Sequence, residues 1–267
     1  MHFLIFTIVI FLSCGISALQ SQETMFRYYK ANPLEARVGS FYQPNHDKLR
    51  LDIGNSIDLK DISYSEQWKG SIGADAFILT RLRSEGNFKF PVETADYFFG
   101  LNACALGKIG SFPAGIRLRL AHISTHLVDG SANANGVFAE RKPFVYSREF
   151  ADASGYISLD YLRLYAGLTW VWSTQPRNVG RIIPQLGFDI QYPIVNHWEI
   201  QSGYDVKLSE VESITLPTHS VQAGIAYVNE KRKGAWFGIV GSFGRSIHGM
   251  YFNEQDHYLG FGFQVLY

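Results

Sequence analysis

Apolar and polar side chains alternate with a period of two through much of this chain. Near the C-terminus Leu259, Phe261, Phe263, Val265 and Tyr267 fall on one face, and Tyr258, Gly260, Gly262 and Gln264 on the other. Ile182, Pro184, Leu186, Phe188, Ile190 and Tyr192 alternate in the same way with Ile183, Gln185, Gly187, Asp189 and Gln191. Trp198, Ile200, Ser202, Tyr204 and Val206 alternate with Glu199, Gln201, Gly203, Asp205 and Lys207. Successive side chains of a strand point to opposite faces. Each segment therefore has one apolar face, with aromatics at its ends, and one face that is polar or glycine. A soluble β-sandwich alternates too. Here, however, Arg117, Arg119, Asp189, Glu199, Asp205 and Lys207 sit mid-strand on the glycine-bearing face, which suits a wet or ion-paired lumen. The pattern predicts an all-β fold, a transmembrane antiparallel up-and-down β-barrel.

About twelve strands are expected, at 36–43, 48–57, 70–82, 94–106, 113–126, 143–153, 157–172, 180–192, 196–207, 216–228, 234–245 and 257–267. Most are near the roughly 9–11 residues that a tilted spanning strand needs. In such barrels the periplasmic turns are short and the outward loops long. With the C-terminus periplasmic, segments 154–156, 193–195 and 229–233 fall inside and are short. Segments 83–93, 127–142, 208–215 and 246–256 fall outside and are longer. Only 58–69 breaks the trend.

The longest apolar run, Phe3 to Ser13, has the length of a signal-peptide core and is too short for a spanning helix. Gly15 and Ser17 supply the small residues of a cleavage site near Ser17 or Ala18. The expected organisation is a signal peptide over 1–18 and one barrel domain over 19–267. Cys14 raises lipidation as an alternative, although Phe11-Leu12-Ser13 makes a poor lipobox. Cleavage would leave Cys104 alone, so no internal disulfide can form. The charge balance, 24 Lys and Arg against 24 Asp and Glu, lacks the basic footprint of a nucleic-acid binder.

Candidate chemistry lies in Gly115-Ile-Arg-Leu-Arg-Leu-Ala-His-Ile-Ser-Thr-His126. Ile116, Leu118 and Leu120 share a face with His122, Ser124 and His126, so the last three should point outward, near the outer rim. His122 and Ser124 lie about 7 Å apart along the strand, a gap that rotamers can close. The imidazole could then take the hydroxyl proton and make Ser124 a nucleophile. A third member would fix the imidazole tautomer; Asn135, Glu140, Ser147 and Glu149 are available, and Glu149 is preferred. If Val145, Ser147, Glu149 and Ala151 face lipid, Glu149 can orient His122. The opposite phase, with Phe144, Tyr146 and Phe150 outward, reads equally well and would turn it away. A plainer reading is that His122, Ser124 and His126 have risen to headgroup depth, where polar side chains cost little. His122 and His126, about 13 Å apart, are too distant for one metal ion unless Ser124 and Asp129 fold in. No metal or cofactor is expected.

The His-x-Ser arrangement resembles that of outer-membrane phospholipase A and of the lipid A deacylase. Both are barrel hydrolases with the pair on the outer wall. Thr125-His126 follows the serine here, where the phospholipase carries Asn-Gly. Over more of the chain, Asn32-Pro-Leu-Glu-Ala-Arg37, Arg119-Leu-Ala-His-Ile-Ser-Thr-His-Leu-Val-Asp129 and Tyr146-Ser-Arg-Glu149 resemble an uncharacterised bacterial envelope family, domain of unknown function 1207. Val145 departs from the Asn expected before the third segment. That resemblance implies an envelope barrel and supplies no mechanism.

The expectation is an outer-membrane barrel of a Gram-negative-type bacterium, serving as a pore, receptor or structural envelope component. Its lumen would be self-filled or a small pore, with Asp75 and Arg163 among the charged residues facing it. The alternative is a lipid or lipid A ester hydrolase built on His122, Ser124 and Glu149. Expected partners are outer-membrane lipids, lipopolysaccharide and, through the C-terminal aromatic strand, the barrel-assembly machinery.

Overall fold

The computed structural model describes residues 24–138 and 140–267, so the expected signal peptide lies outside the described residues. Twelve strands are formed: β1 (Val38–Gln43), β2 (Lys48–Ser63), β3 (Lys69–Arg83), β4 (Val92–Ile109), β5 (Phe112–Leu127) and β6 (Tyr146–Leu159), then β7 (Leu162–Gln175), β8 (Ile182–Val195), β9 (Trp198–Val211), β10 (Ile214–Val228), β11 (Gly234–Arg245) and β12 (Gln255–Leu266). Each pairs antiparallel with its neighbours in sequence, and β1 closes the barrel on β12 with Val38 opposite Val265. An even strand number puts both ends of the barrel sequence at one rim, here called the termini end.

The expected strands exist, but several boundaries move. Segment 154–156 is not a turn: Ser154, Gly155 and Tyr156 continue β6 and pair with Arg117, Ile116 and Gly115. The chain reverses instead at Asp160-Tyr161, where Asp160 takes a positive φ of 50°, a conformation that Asp and Asn tolerate best. The turn expected at 193–195 likewise moves, since β8 runs through Val195 and the chain reverses at Asn196-His197, with Asn196 at φ of 47°. Segment 208–215 shrinks to Glu212-Ser213, both at positive φ, because β9 and β10 run on toward each other. Segment 58–69 loses its anomaly, since β2 extends to Ser63 through an irregularity between Asp58 and Lys60. At the end opposite the termini, 128–145 and 246–254 are the long connections.

The outer wall is a continuous apolar belt. Ile116, Leu118, Leu120, Leu164, Leu168, Phe237, Ile239, Phe261 and Phe263 are all exposed. So large an apolar surface has no stable place in water and matches hydrocarbon. Aromatics edge the belt: Tyr161 meets Tyr192 and Trp198 meets Tyr227 at the termini end, while Tyr97 meets His126 near the other.

The lumen is filled, and by a segment that strand periodicity did not reveal. Strand β1 begins at Val38, and residues 24–37 run inside the barrel. Glu35, 1% exposed, receives both Nη atoms of Arg117 at 2.9 and 2.6 Å. Arg119 donates to the Leu34 carbonyl and pairs with Asp152. Lys30 donates its backbone N–H to Asp189 and its ammonium to Gln201, and Lys207 reaches Asn32. Arg163 holds the carbonyls of Arg27 and Tyr28, and Tyr29 stacks on Tyr165 at 3.9 Å. A Cβ on Gly203 would stand 2.7 Å from Asp189 and 3.2 Å from the Ala31 nitrogen, so glycine at that inward position makes room for the segment. The charged residues of the glycine-bearing face thus pair with this plug as well as across strands.

Beyond the plug, away from the termini, the interior turns apolar. Phe77, Leu79, Phe98, Ile123, Phe150 and Met250 form one buried cluster. Met250 comes from the β11–β12 connection, which folds into the mouth. Buried Asp96 accepts the Gly249 N–H and the His248 Nδ1 contact, each at 2.7 Å. A cavity of about 730 Å³ remains at the termini end, lined by Lys30, Arg37, Asp75, Arg163 and Glu199 among others. Residues 24–37 and the apolar cluster lie between it and the far rim.

Candidate functional site

The site is built where β5, β6 and β7 approach the rim opposite the termini. Along β5, Arg117, Arg119, Ala121 and Ile123 are buried inward, and Ile116, Leu118, Leu120, His122, Ser124 and His126 are outward. The register sets His122 opposite Glu149 and Ser124 opposite Ser147 on β6, then Glu149 opposite Ser173 on β7. Tyr146 and Phe150 are buried in the lumen. The β6 phase is therefore the one that turns Val145, Ser147, Glu149 and Ala151 to the outside.

That phase brings His122 and Glu149 together. Nδ1 of His122 stands 3.0 Å from Oε1 of Glu149, and the Ser147 hydroxyl donates to the same oxygen at 2.9 Å. The two side chains are 41% and 32% exposed, on the outer wall next to the apolar belt. A carboxylate receiving Nδ1–H leaves Nε2 free to accept a proton. Ser124 is two residues further along the same face, and its hydroxyl makes no hydrogen bond among the described residues. The structure thus brings His122 and Glu149 together but leaves the Ser124 hydroxyl out of hydrogen-bond contact with the imidazole. Asn135 and Glu140 lie exposed in the β5–β6 connection, and neither is hydrogen-bonded to His122. His126 contacts the Tyr97 ring instead, at 5.9 Å between centroids. Among the described residues no three His, Cys, Asp or Glu side chains are grouped to hold a metal ion.

A polar pair at this height is not unusual by itself, since the Tyr204 hydroxyl meets His219 Nδ1 at 2.6 Å elsewhere on the outer wall. What separates the β5–β6 site is its composition, with imidazole, carboxylate and free hydroxyl on adjoining positions.

Strict alternation missed the β7 contribution. The β6–β7 ladder slips between Glu149 and Phe150, so that Trp172 becomes an extra residue and Trp172 and Ser173 both point outward. Without this bulge Ser173 would face the lumen and could not meet Glu149. Bulges re-aim side chains in this way and are frequent beside functional sites. The only sequence sign is the run Trp170-Val-Trp-Ser-Thr-Gln-Pro, where alternation fails just before a proline. Next to the bulge lies a groove of about 490 Å³, bounded by Ser147, Glu149, Trp172, Ser173, Arg177 and Arg181 among others.

The barrel of outer membrane phospholipase A from Escherichia coli superposes on this fold with a TM-score of 0.57, at 10% identity, over 88% of this chain and 94% of that one. The β domain of the Bordetella autotransporter Brka matches at a TM-score of 0.43 and 12% identity, over 86% and 97% of the two chains. OmpT of Vibrio cholerae matches at 0.36 and 8%, over 87% and 96%. No family model matches the chain, so the likeness to domain of unknown function 1207 gains no support there, and no curated protein matches it either. The likeness to the phospholipase shows a fold, a closed barrel of the outer-membrane type, to which this chain brings twelve strands.

Proposed function

We propose that this protein is an outer-membrane lipid ester hydrolase whose site lies on the outside of the barrel, with Ser124 as nucleophile, His122 as base and Glu149 as the group that orients the imidazole. The observation that carries this reading is the His122–Glu149 hydrogen bond, on a lipid-facing wall with a free serine hydroxyl alongside. The filling of the lumen by residues 24–37 and the apolar cluster argues against a wide pore.

The proposed chemistry uses these three groups in turn. Glu149 holds Nδ1–H, so Nε2 takes the Ser124 proton as Oγ attacks an acyl carbonyl. The imidazolium returns that proton to the departing alkoxide, and water then releases the fatty acid by the same route in reverse. The acyl carbonyls of membrane lipids lie where tails meet headgroups. That is the level at which the β5 face changes from Leu118 and Leu120 to His122 and Ser124, so substrate need not leave the bilayer. Short turns at the termini end and long connections opposite place the site in the outer leaflet if the termini are periplasmic. That leaflet supplies lipopolysaccharide as well as phospholipid.

The test is hydrolysis of phospholipid and of lipid A by the refolded barrel, compared with Ser124→Ala and His122→Ala. Loss of several orders of magnitude in both variants is expected. Equal activity in wild type and Ser124→Ala, or no hydrolysis by a well-folded barrel, would leave these residues as ordinary rim polar groups.

A further inference from the structure

The groove beside the bulge carries two cations that the ester chemistry does not use. Arg177 is exposed and makes no hydrogen bond or ion pair among the described residues. Arg181 is exposed too and uses only Nη1, donating to the Trp172 and Val171 carbonyls at 2.7 and 3.3 Å. Both line the same groove as Glu149 and Ser147.

The β7–β8 connection that bears them is firmly held. The Gly180 N–H donates to the Glu210 carbonyl and the Val171 N–H to the Arg181 carbonyl, each at 2.8 Å. Val179 bridges to Val211, and both are buried in the apolar interior cluster. Asn178 also donates to Glu212 in the β9–β10 turn. The cations are therefore presented from a fixed backbone. Trp172, exposed beside them, offers an amphipathic ring of the kind found where membrane meets water.

We propose that this groove is a subsite for the phosphate of an anionic lipid headgroup, with Arg177 as its main ligand and Arg181 as its second. As an assignment of substrate class it rests on the hydrolase reading above. Guanidinium forks match phosphate oxygens in geometry and charge. Strand spacing places the β7 edge of the groove roughly 10 Å from β5, so a phosphate held by Arg177 leaves its lipid's glycerol and acyl esters on the Ser124 side. Glu149 sits at the opposite edge and is engaged by His122 and Ser147, so its charge meets hydrogen-bond donors before it meets the phosphate. The source is a lipid, because the groove opens onto the wall just above the apolar belt.

The experiment uses the full chain with Ser124→Ala, refolded in micelles, so that no lipid is turned over. Spin-labelled phosphatidic acid and spin-labelled diacylglycerol with the same acyl chains are compared for the motionally restricted, protein-bound fraction. Phosphatidic acid should be preferred by about three- to tenfold. Arg177→Gln should bring that preference close to one, and Arg177→Lys should keep part of it, since lysine supplies charge without the fork. A heat-modifiable gel band confirms that each variant is folded. No preference, or a preference untouched by Arg177→Gln, overturns the proposal. Complete displacement by inorganic phosphate, relative to sodium chloride of equal ionic strength, would also overturn it by assigning the groove to a soluble anion. A preference in a protein whose wild type hydrolyses nothing would keep the subsite and sink the hydrolase; hydrolysis without preference would do the reverse.

Discussion

Replacing Glu35 by Gln tests whether the N-terminal segment is an integral part of the barrel. The change keeps the shape of the side chain and removes its charge. Arg117, 5% exposed, and Arg119, 4% exposed, then face a neutral amide. Arg117 then keeps only the faces of Phe26 and Tyr29, because its Nε is without a hydrogen-bond partner and both Nη atoms bond Glu35. Breaking a buried pair while leaving the cation in place costs about 3–5 kcal/mol. Arg117 borders the cavity at the termini end, where water can enter, so the lower end of that range is expected. Urea unfolding of the refolded barrel, followed by tryptophan fluorescence and by the folded gel band, gives the number. The double variant Glu35→Gln/Arg117→Met should recover at least half of the loss, because it removes the stranded charge. A shift below about 1 kcal/mol, or a double variant no better than the single, would mean that the segment does not hold the lumen through this pair.

Three further outcomes follow from the same structure. Glu149→Gln should lower ester hydrolysis by roughly a hundredfold, through loss of imidazole orientation, while leaving the barrel folded; unchanged turnover would remove Glu149 from the site. Purified protein in planar bilayers should show no steady conductance, because the plug and the Met250 cluster close the lumen in series; porin-sized openings would contradict that closure. Gly249→Ala would put a Cβ 2.4 Å from Thr125 Oγ1 and from the Tyr146 ring. Overpacking of this kind costs about 1–3 kcal/mol, and limited proteolysis of the β11–β12 connection should become faster in the variant while the barrel stays resistant.

Much of the barrel was legible because one physical rule dominates it. A wall with lipid on one side and a polar lumen on the other writes its register into every second residue, and the twelve strands and the outward phase of His122 and Ser124 follow from that rule. It does not mark where strands end. Ser154-Gly155 looks like a turn in sequence, yet it stays in the ladder because Asp160 accepts the left-handed conformation that the reversal needs. Nor does periodicity reach a segment without regular structure: Asn32 to Arg37 stood out only as a motif, and its role as lumen filling rests on partners more than 80 residues away, such as Arg117. On β6 two phases were equally readable, and burial of Tyr146 and Phe150 selects the one that offers Glu149 to His122. Ser173 was hidden for the opposite reason, since a single bulged residue inverts the alternation that sequence reading depends on.

The proposed hydrolase requires Ser124 to be an activated nucleophile. A fluorophosphonate probe added to the refolded wild-type barrel, with the labelled peptide mapped by mass spectrometry, tests this without choosing a substrate. Covalent labelling is expected at Ser124, abolished in His122→Ala and strongly slowed in Glu149→Gln. A folded barrel that takes up no label, or takes it up equally when His122 is absent, would contradict it.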